Sequence, residues 1–230
     1  MRPKVLAPLI AAMLCLPGML TADEGERRAD VALVLAIDCS DSIIRAEYEL
    51  QMQGLAEALR SAEVIEAIAA LPSRRIVISV FHWAGGRVQE LVLPWTPIGG
   101  AAEAEAAAGR IAGHVRYVTG ETSISGAIEY AVARSHSENP YRSLKRVVDI
   151  SGDGVNSDWR PPEPERDRAV RLGIVINGLA ILSDEPKLGT YYLEHIAGGP
   201  GSFVMTARDA LDYRDQIRRK LLREIALPVS

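Results

Sequence analysis

The sequence is poor in the residues that catalytic and metal chemistry most often use. It has two cysteines and four histidines in 230 residues, and aromatics make up only 5%. Cys15 lies in the N-terminal leader described below, so Cys39 is left alone and an intramolecular disulfide is excluded from the mature chain. The histidines, His82, His114, His136 and His195, form no HExxH and no other paired spacing, so a zinc site is not expected. There is no basic excess: the net charge is -4, which argues against a nucleic-acid partner held through phosphates. Gly-x-Ser-x-Gly is missing, which removes the usual serine-hydrolase elbow. Gly152-Asp153-Gly154 begins a dinucleotide fingerprint, but Ser157 stands where its third glycine belongs and Trp159-Arg160-Pro161 follows where a helix should.

What is present is an ordinary globular composition, 48% apolar and 24% charged, in a length that suits one α/β domain. Arg2 and Lys4 precede an apolar run from Val5 to Leu20 that Pro8, Pro17 and Gly18 interrupt, and Thr21-Ala22 then lead into Asp23-Glu24. This is the pattern of a secretory signal peptide over residues 1–22, followed by a charged linker over 23–30. The prolines and short span argue against a membrane anchor. Cleavage after Ala22 removes two basic residues and takes the net charge from -4 to -6, with no membrane span remaining. A periplasmic or secreted location is expected.

From Val31 onward, aliphatic runs alternate with helix-patterned segments. Val31–Ile37, Arg75–Phe81, Val88–Leu93, Leu144–Ile150, Ile174–Ile181 and Ser202–Met205 are predicted strands. Helices are predicted over 43–70 (one or two), 101–114, 124–135, 165–172, 188–197 and 207–225. The alternation predicts an α/β fold: a doubly wound, mostly parallel sheet with helices on both faces. The turn Ala84-Gly85-Gly86 makes the third strand antiparallel, and Pro94 and Pro97 are expected to end it.

Three strand-end loops carry oxygen ligands. Asp38, Ser40 and Ser42 alternate directly after the first strand, Thr122 precedes a helix, and Asp153 follows the fourth strand. In such a sheet the first and fourth strands are neighbours, and the crevice between their carboxyl ends is the topological switch point. Two carboxylates, three hydroxyls and water would complete the six oxygens of a Mg²⁺ ion, with Mn²⁺ or Ca²⁺ as alternatives. Asp and Ser also cap helices, and the first triplet alone is compatible with that lesser role.

Asp38-x-Ser40-x-Ser42, Thr122 and Asp153-Gly154, in this order, resemble the metal-ion-dependent adhesion site of von Willebrand factor A-type domains. The hairpin 75–93 and the Gly199-Pro200-Gly201-Ser202-Phe203 ending resemble other parts of that family, so the likeness covers residues 31–228. More narrowly, the chain is similar to an uncharacterised group of secreted bacterial A-type-like proteins. The resemblance implies metal-mediated binding without catalysis, in which an acidic residue of a protein partner completes the cation's shell. The alternative is a metal-assisted hydrolase at the same carboxylates, although Ser40 stands where an aspartyl phosphatase has its second Asp. Asp41, Trp83 and Trp159 are the candidate partner-contacting residues. Asp158 reads as a solvated loop acid, Cys39 is expected to face the core, and Gly152, where the family often has Thr, is expected to loosen its loop.

Overall fold

The computed structural model describes residues 27–226. The expected leader, the first half of the linker and the last residues of the expected domain lie outside them. Among the described residues no helix is long and apolar enough to cross a membrane.

The sheet has six strands: β1 (Arg28–Asp38), β2 (Ile76–Trp83), β3 (Gln89–Ile98), β4 (Arg142–Gly152), β5 (Val175–Ile181) and β6 (Val204–Ala207). Their order is β3-β2-β1-β4-β5-β6, with every pair parallel except β2 and β3. This is the predicted doubly wound sheet with one antiparallel edge strand. β1 begins at Arg28, inside the expected linker, because Arg28 and Ala29 already pair with β4. The period-two geometry of β1 sorts its apolar run onto two faces. Val31, Leu33, Leu35 and Ile37 join the core under one layer of helices, and Val34 and Ala36 join the core under the other.

The first layer holds α1 (Arg45–Leu59), α2 (Ala62–Ala69), α3 (Ala101–Ala112) and, closing the chain, α7 (Ala210–Ile225). The second holds α4 (Ile124–His136), α5 (Glu163–Arg171) and α6 (Leu188–Tyr191). The helix expected over 188–197 is one α-helical turn followed by a π-helical turn at Tyr192–Ile196. Ser61, accepting from the Val64 amide, starts α2 afresh and divides the 43–70 segment in two.

Pro94 and Pro97 do not end β3, which runs to Ile98. The strand lies at the sheet edge, where a missing N–H costs no ladder bond, and its register slips between Ile78 and Val80. Ser79 fills the irregularity by donating its hydroxyl to the Leu93 carbonyl at 3.1 Å.

α7 is pinned to the sheet by buried charge. The Lys220 ammonium lies 2.6 Å from Asp149 on β4 and 2.5 Å from Glu224, and all three are buried. Asn177 of β5 donates to Glu224 at 3.0 Å. Burial pushes the Asp149 carboxyl upward while the Lys220 charge pulls it back. Replacing Lys220 with Met strands two buried carboxylates, and should cost about 3–5 kcal/mol near neutral pH. Urea unfolding reads this as a lower midpoint, with the deficit shrinking under acid as Asp149 takes up a proton.

Candidate metal centre

β1 is the central strand next to β4, so its carboxyl end opens into the crevice where the chain reverses direction across the sheet. Asp38 is the last residue of the strand and is 0% exposed. Its Oδ1 accepts the Ser40 amide at 2.7 Å, and this short-range bond turns the chain sharply out of the strand. The turn sets the Ser40 and Ser42 hydroxyls 3.1 Å apart. Ser42 then donates across the crevice to Asp153 Oδ1 at 2.8 Å, joining loops 111 residues apart in sequence. The structure thus brings Asp38, Ser40, Ser42 and Asp153 to one place.

Thr122 arrives through a separate set of bonds. Its side chain does not cap α4, because the N-cap is Ser123, whose hydroxyl receives the Gly126 amide at 3.2 Å. Instead the Thr122 amide donates to Ser157 Oγ at 3.0 Å, and its carbonyl receives the Ser157 amide at 2.8 Å. The Thr122 hydroxyl stands 3.6 Å from the point where a side chain on Gly154 would begin, beside Asp153. Gly120, at φ 137°, supplies the left-handed backbone that lets this loop approach.

Asp41 is spent on the same junction. Its amide donates to the Gly120 carbonyl at 2.9 Å, and its carboxylate receives the Gly120 amide at 3.0 Å. Trp159 is 88% exposed beside the site loops, but Trp83 is 0% exposed and packs in the core under α4. The expectation that Trp83 rims the site is therefore corrected: β2 continues through position 83 and turns the indole inward. Cys39 is buried in the opposite core as expected, and burial pushes its thiol well up.

Four further residues shape the site that the motif did not reveal. Arg116 donates to the carbonyls of Ile43, Cys39 and Ser40 at 2.5, 2.7 and 2.9 Å, clamping the first loop from beneath. Nothing in its spacing announces this. Asn156 accepts the Ile124 and Ser125 amides at 2.8 and 3.2 Å, which ties the third loop to the start of α4. Asp158 is not a solvated acid: it accepts from Ser123 at 2.7 Å and Ser125 at 3.2 Å, and the Ser123 bond holds it below the usual carboxylate range. An Asx pair shortly after a strand end is a readable capping signal. Tyr192, the fourth, reaches the crevice from the π-helical turn.

Gly152 does not loosen its loop. A Cβ there would lie 2.6 Å from Asp38 Oδ2 and 2.8 Å from the Tyr192 hydroxyl, so this glycine admits both groups into one confined space. Neither Asp38 Oδ2 nor the Tyr192 hydroxyl, both buried, has a hydrogen-bond partner.

Burial pushes Asp38 up from 3.8 to about 7, with Asp153 adding repulsion and the Ser40 bonds opposing it. Burial also raises Asp153, aided by Glu47 and Asp184 and opposed by the Ser42 bond. Two carboxylates and neutral hydroxyls converge here, and one buried carboxylate oxygen has no partner. That donor set fits a hard divalent cation and would be relieved by one. Asp38, Ser40, Ser42, Thr122 and Asp153 are the residues available to hold it.

The comparisons agree with this architecture. A family profile described as "Protein of unknown function (DUF1194)" matches residues 28–229. No curated protein matches the sequence. Among solved structures, proximal thread matrix protein 1 from the mussel byssus is similar at TM-score 0.63 and 17% identity, over 84% of this chain and 47% of that one. A further structure of that protein has a zinc-occupied MIDAS motif. The pilus adhesin SpaC from Lactobacillus rhamnosus GG is similar at TM-score 0.63 and 14% identity, over 85% of this chain and 30% of that one. A von Willebrand factor type A protein from Catenulispora acidiphila gives 0.59 and 18%, over 86% and 43%. The chain thus spans about half the length of the thread matrix protein and less of the other two. At these identities the likeness is one of fold, and the fold is that of a von Willebrand factor A-type domain.

The raised Asp38 value has a definite sign. A carboxyl whose folded pKa lies near 7 and whose ordinary value is 3.8 contributes most stability below about pH 4 and loses it as pH rises through 7. In chelator, stability should therefore fall over that interval by up to about 1.4 kcal/mol per pH unit from this group. Mg²⁺ should restore it at neutral pH and do nothing near pH 4. Asp38→Asn should flatten this part of the slope and abolish the Mg²⁺ response, as urea unfolding across the range will read.

Proposed function

The chain belongs to the family described as protein of unknown function (DUF1194), and on that premise we propose that it is an extracytoplasmic, metal-dependent protein-binding module. Asp38, Ser40, Ser42, Thr122 and Asp153 hold a divalent cation, Mg²⁺ by the oxygen character of the set, with Mn²⁺ or Ca²⁺ as substitutes. The observation that carries this reading is Asp38 Oδ2: a buried carboxylate oxygen with no partner, across from Asp153 and beside paired serine hydroxyls. The zinc-occupied MIDAS motif of the thread matrix protein supports the same assignment.

The bound cation supplies an electrophilic position for a partner's carboxylate. The chain's own residues set that position. Ser40 and Ser42 bring neutral oxygens, Arg116 holds the loop that carries them, and the Asp41–Gly120 pair fixes the second loop against the first. Exposed apolar side chains flank the three loops. Ile44 follows the first, Val155 and Trp159 belong to the third, and each is more than 40% exposed. Such a rim suits a protein surface, with Trp159 as the aromatic anchor. Residues 1–22 act as the leader and 23–30 as the start of the mature chain, which places the module in the periplasm or outside the cell. Asp41 serves the site through its loop bond.

Asp38→Ala and Ser40→Ala should each abolish the Mg²⁺-dependent rise in melting temperature while leaving far-UV circular dichroism unchanged. Equal rises in variant and wild type would remove the site. Trp159→Ala should keep the Mg²⁺ response and lose a partner captured in Mg²⁺ and released by chelator. Phosphatase or esterase turnover lost in Asp153→Ala would instead favour the metal-assisted hydrolase.

A further inference from the structure

A second cluster of donors lies one strand away from the first. His82 is the penultimate residue of β2 and sits directly opposite Glu90 on β3. His114 follows α3 and comes in from the side. The His114 Nε2 is 3.1 Å from Glu90 Oε1, and the His82 Nδ1 is 3.7 Å from Glu90 Oε2. One ligand atom from each of the three residues lies within 4.8 Å of the others. The histidines are 32 positions apart in sequence and come from different elements, which is why no paired spacing exposes them.

The arrangement of lone pairs points to a ligand. His82 is 0% exposed, and its Nε2 faces the Met52 sulfur at 3.5 Å. A metal on Nδ1 requires the ring proton on Nε2, and there the Met52 sulfur is its acceptor. His82 Nδ1 and Glu90 Oε2 are both buried and both without a hydrogen-bond partner. At 3.7 Å the two atoms are too far apart to hydrogen-bond, and a cation bound between them satisfies both. The nearby guanidinium of Arg116 does not serve Glu90, because its donors go to the carbonyls of Ile43, Cys39, Ser40 and Val118.

We propose that His82, Glu90 and His114 form a second metal site that binds a divalent transition ion of the zinc class. Two imidazoles and one carboxylate are borderline ligands, unlike the all-oxygen set at Asp38, so the two sites select different ions. Bonds of roughly 2.05 Å in tetrahedral geometry place neighbouring donors roughly 3.3 Å apart. Each imidazole stands near that distance from one oxygen of the carboxylate, His114 at 3.1 Å from Oε1 and His82 at 3.7 Å from Oε2. His114 and Met52 also line a surface cleft of about 850 Å³ together with Tyr48 and Tyr117. The cleft gives the ion a way in, and its fourth position is taken by water or by a small ligand arriving there.

Co²⁺ titration of the purified, metal-depleted protein in excess Mg²⁺ tests this, because Co²⁺ reports its geometry in visible absorption. The expected result is the intense absorption of a four-coordinate ion at one equivalent, displaced by Zn²⁺, insensitive to Mg²⁺ and retained in Asp153→Ala. His114→Ala and Glu90→Gln alter partly exposed side chains, so both should keep the wild-type circular dichroism. Each should weaken Co²⁺ binding by more than the roughly 100-fold that losing an outer-sphere contact costs. Weak six-coordinate absorption, or absorption that disappears with Mg²⁺ or in Asp153→Ala, would place the ion at the strand-end site and overturn the proposal. Undiminished binding in both His114→Ala and Glu90→Gln would overturn it as well.

Discussion

A carboxylate buried at the end of the central strand governs the upper half of this molecule. Asp38 has no exposed surface, and one of its oxygens has no protein partner. Taking an ionised group out of water is costly unless something answers its charge. Close by are hydroxyls, a second carboxylate and a phenol that burial holds neutral, so the carboxyl is answered by its own proton or by a cation from outside the chain. The local structure accommodates that demand. Gly152 has no Cβ where one would collide with Asp38, and Ser40 turns the backbone so that its hydroxyl meets Ser42.

The loops around this carboxylate are held by the backbone far more than by one another's charges. Asp41 and Gly120 exchange two hydrogen bonds, Ser157 engages both main-chain groups of Thr122, and Asn156 receives two amides at the start of α4. Each bond contributes only about 1 kcal/mol. Together they fix three loops from distant parts of the sequence without using Asp38 Oδ2, Thr122 Oγ1 or the second oxygen of Asp153. Those three oxygens are thus spared from scaffolding, while Asp38 Oδ1 shapes its own turn.

Much of this was legible in the residues. The aliphatic runs announced the sheet, and the order of Asp38, Ser40, Ser42, Thr122 and Asp153 announced the crevice between β1 and β4. Where the structure differs from the sequence pattern the cause is shared: local chemistry does not carry its tertiary setting. Pro94 and Pro97 look like strand breakers until β3 proves to be an edge. Trp83 looks like the tip of a hairpin until β2 proves long enough to bury it. Asp158 looks solvated until α4 places two serines beside it. Arg116 and the His82–Glu90–His114 cluster depend on contacts between elements remote in sequence, and no periodicity carries that information.

The two margins of the sheet bear on how this molecule meets others. One margin is β3, whose prolines remove main-chain donors from its outer half, and the other is β6, only four residues long. Exposed strands of ordinary length and composition invite a foreign strand to add itself to the sheet. Here neither border offers an unbroken row of donors and acceptors for such an addition. Copies at high local density are therefore discouraged from zipping together side by side, which leaves the loops at the strand ends freer than the sheet borders for contact with other molecules.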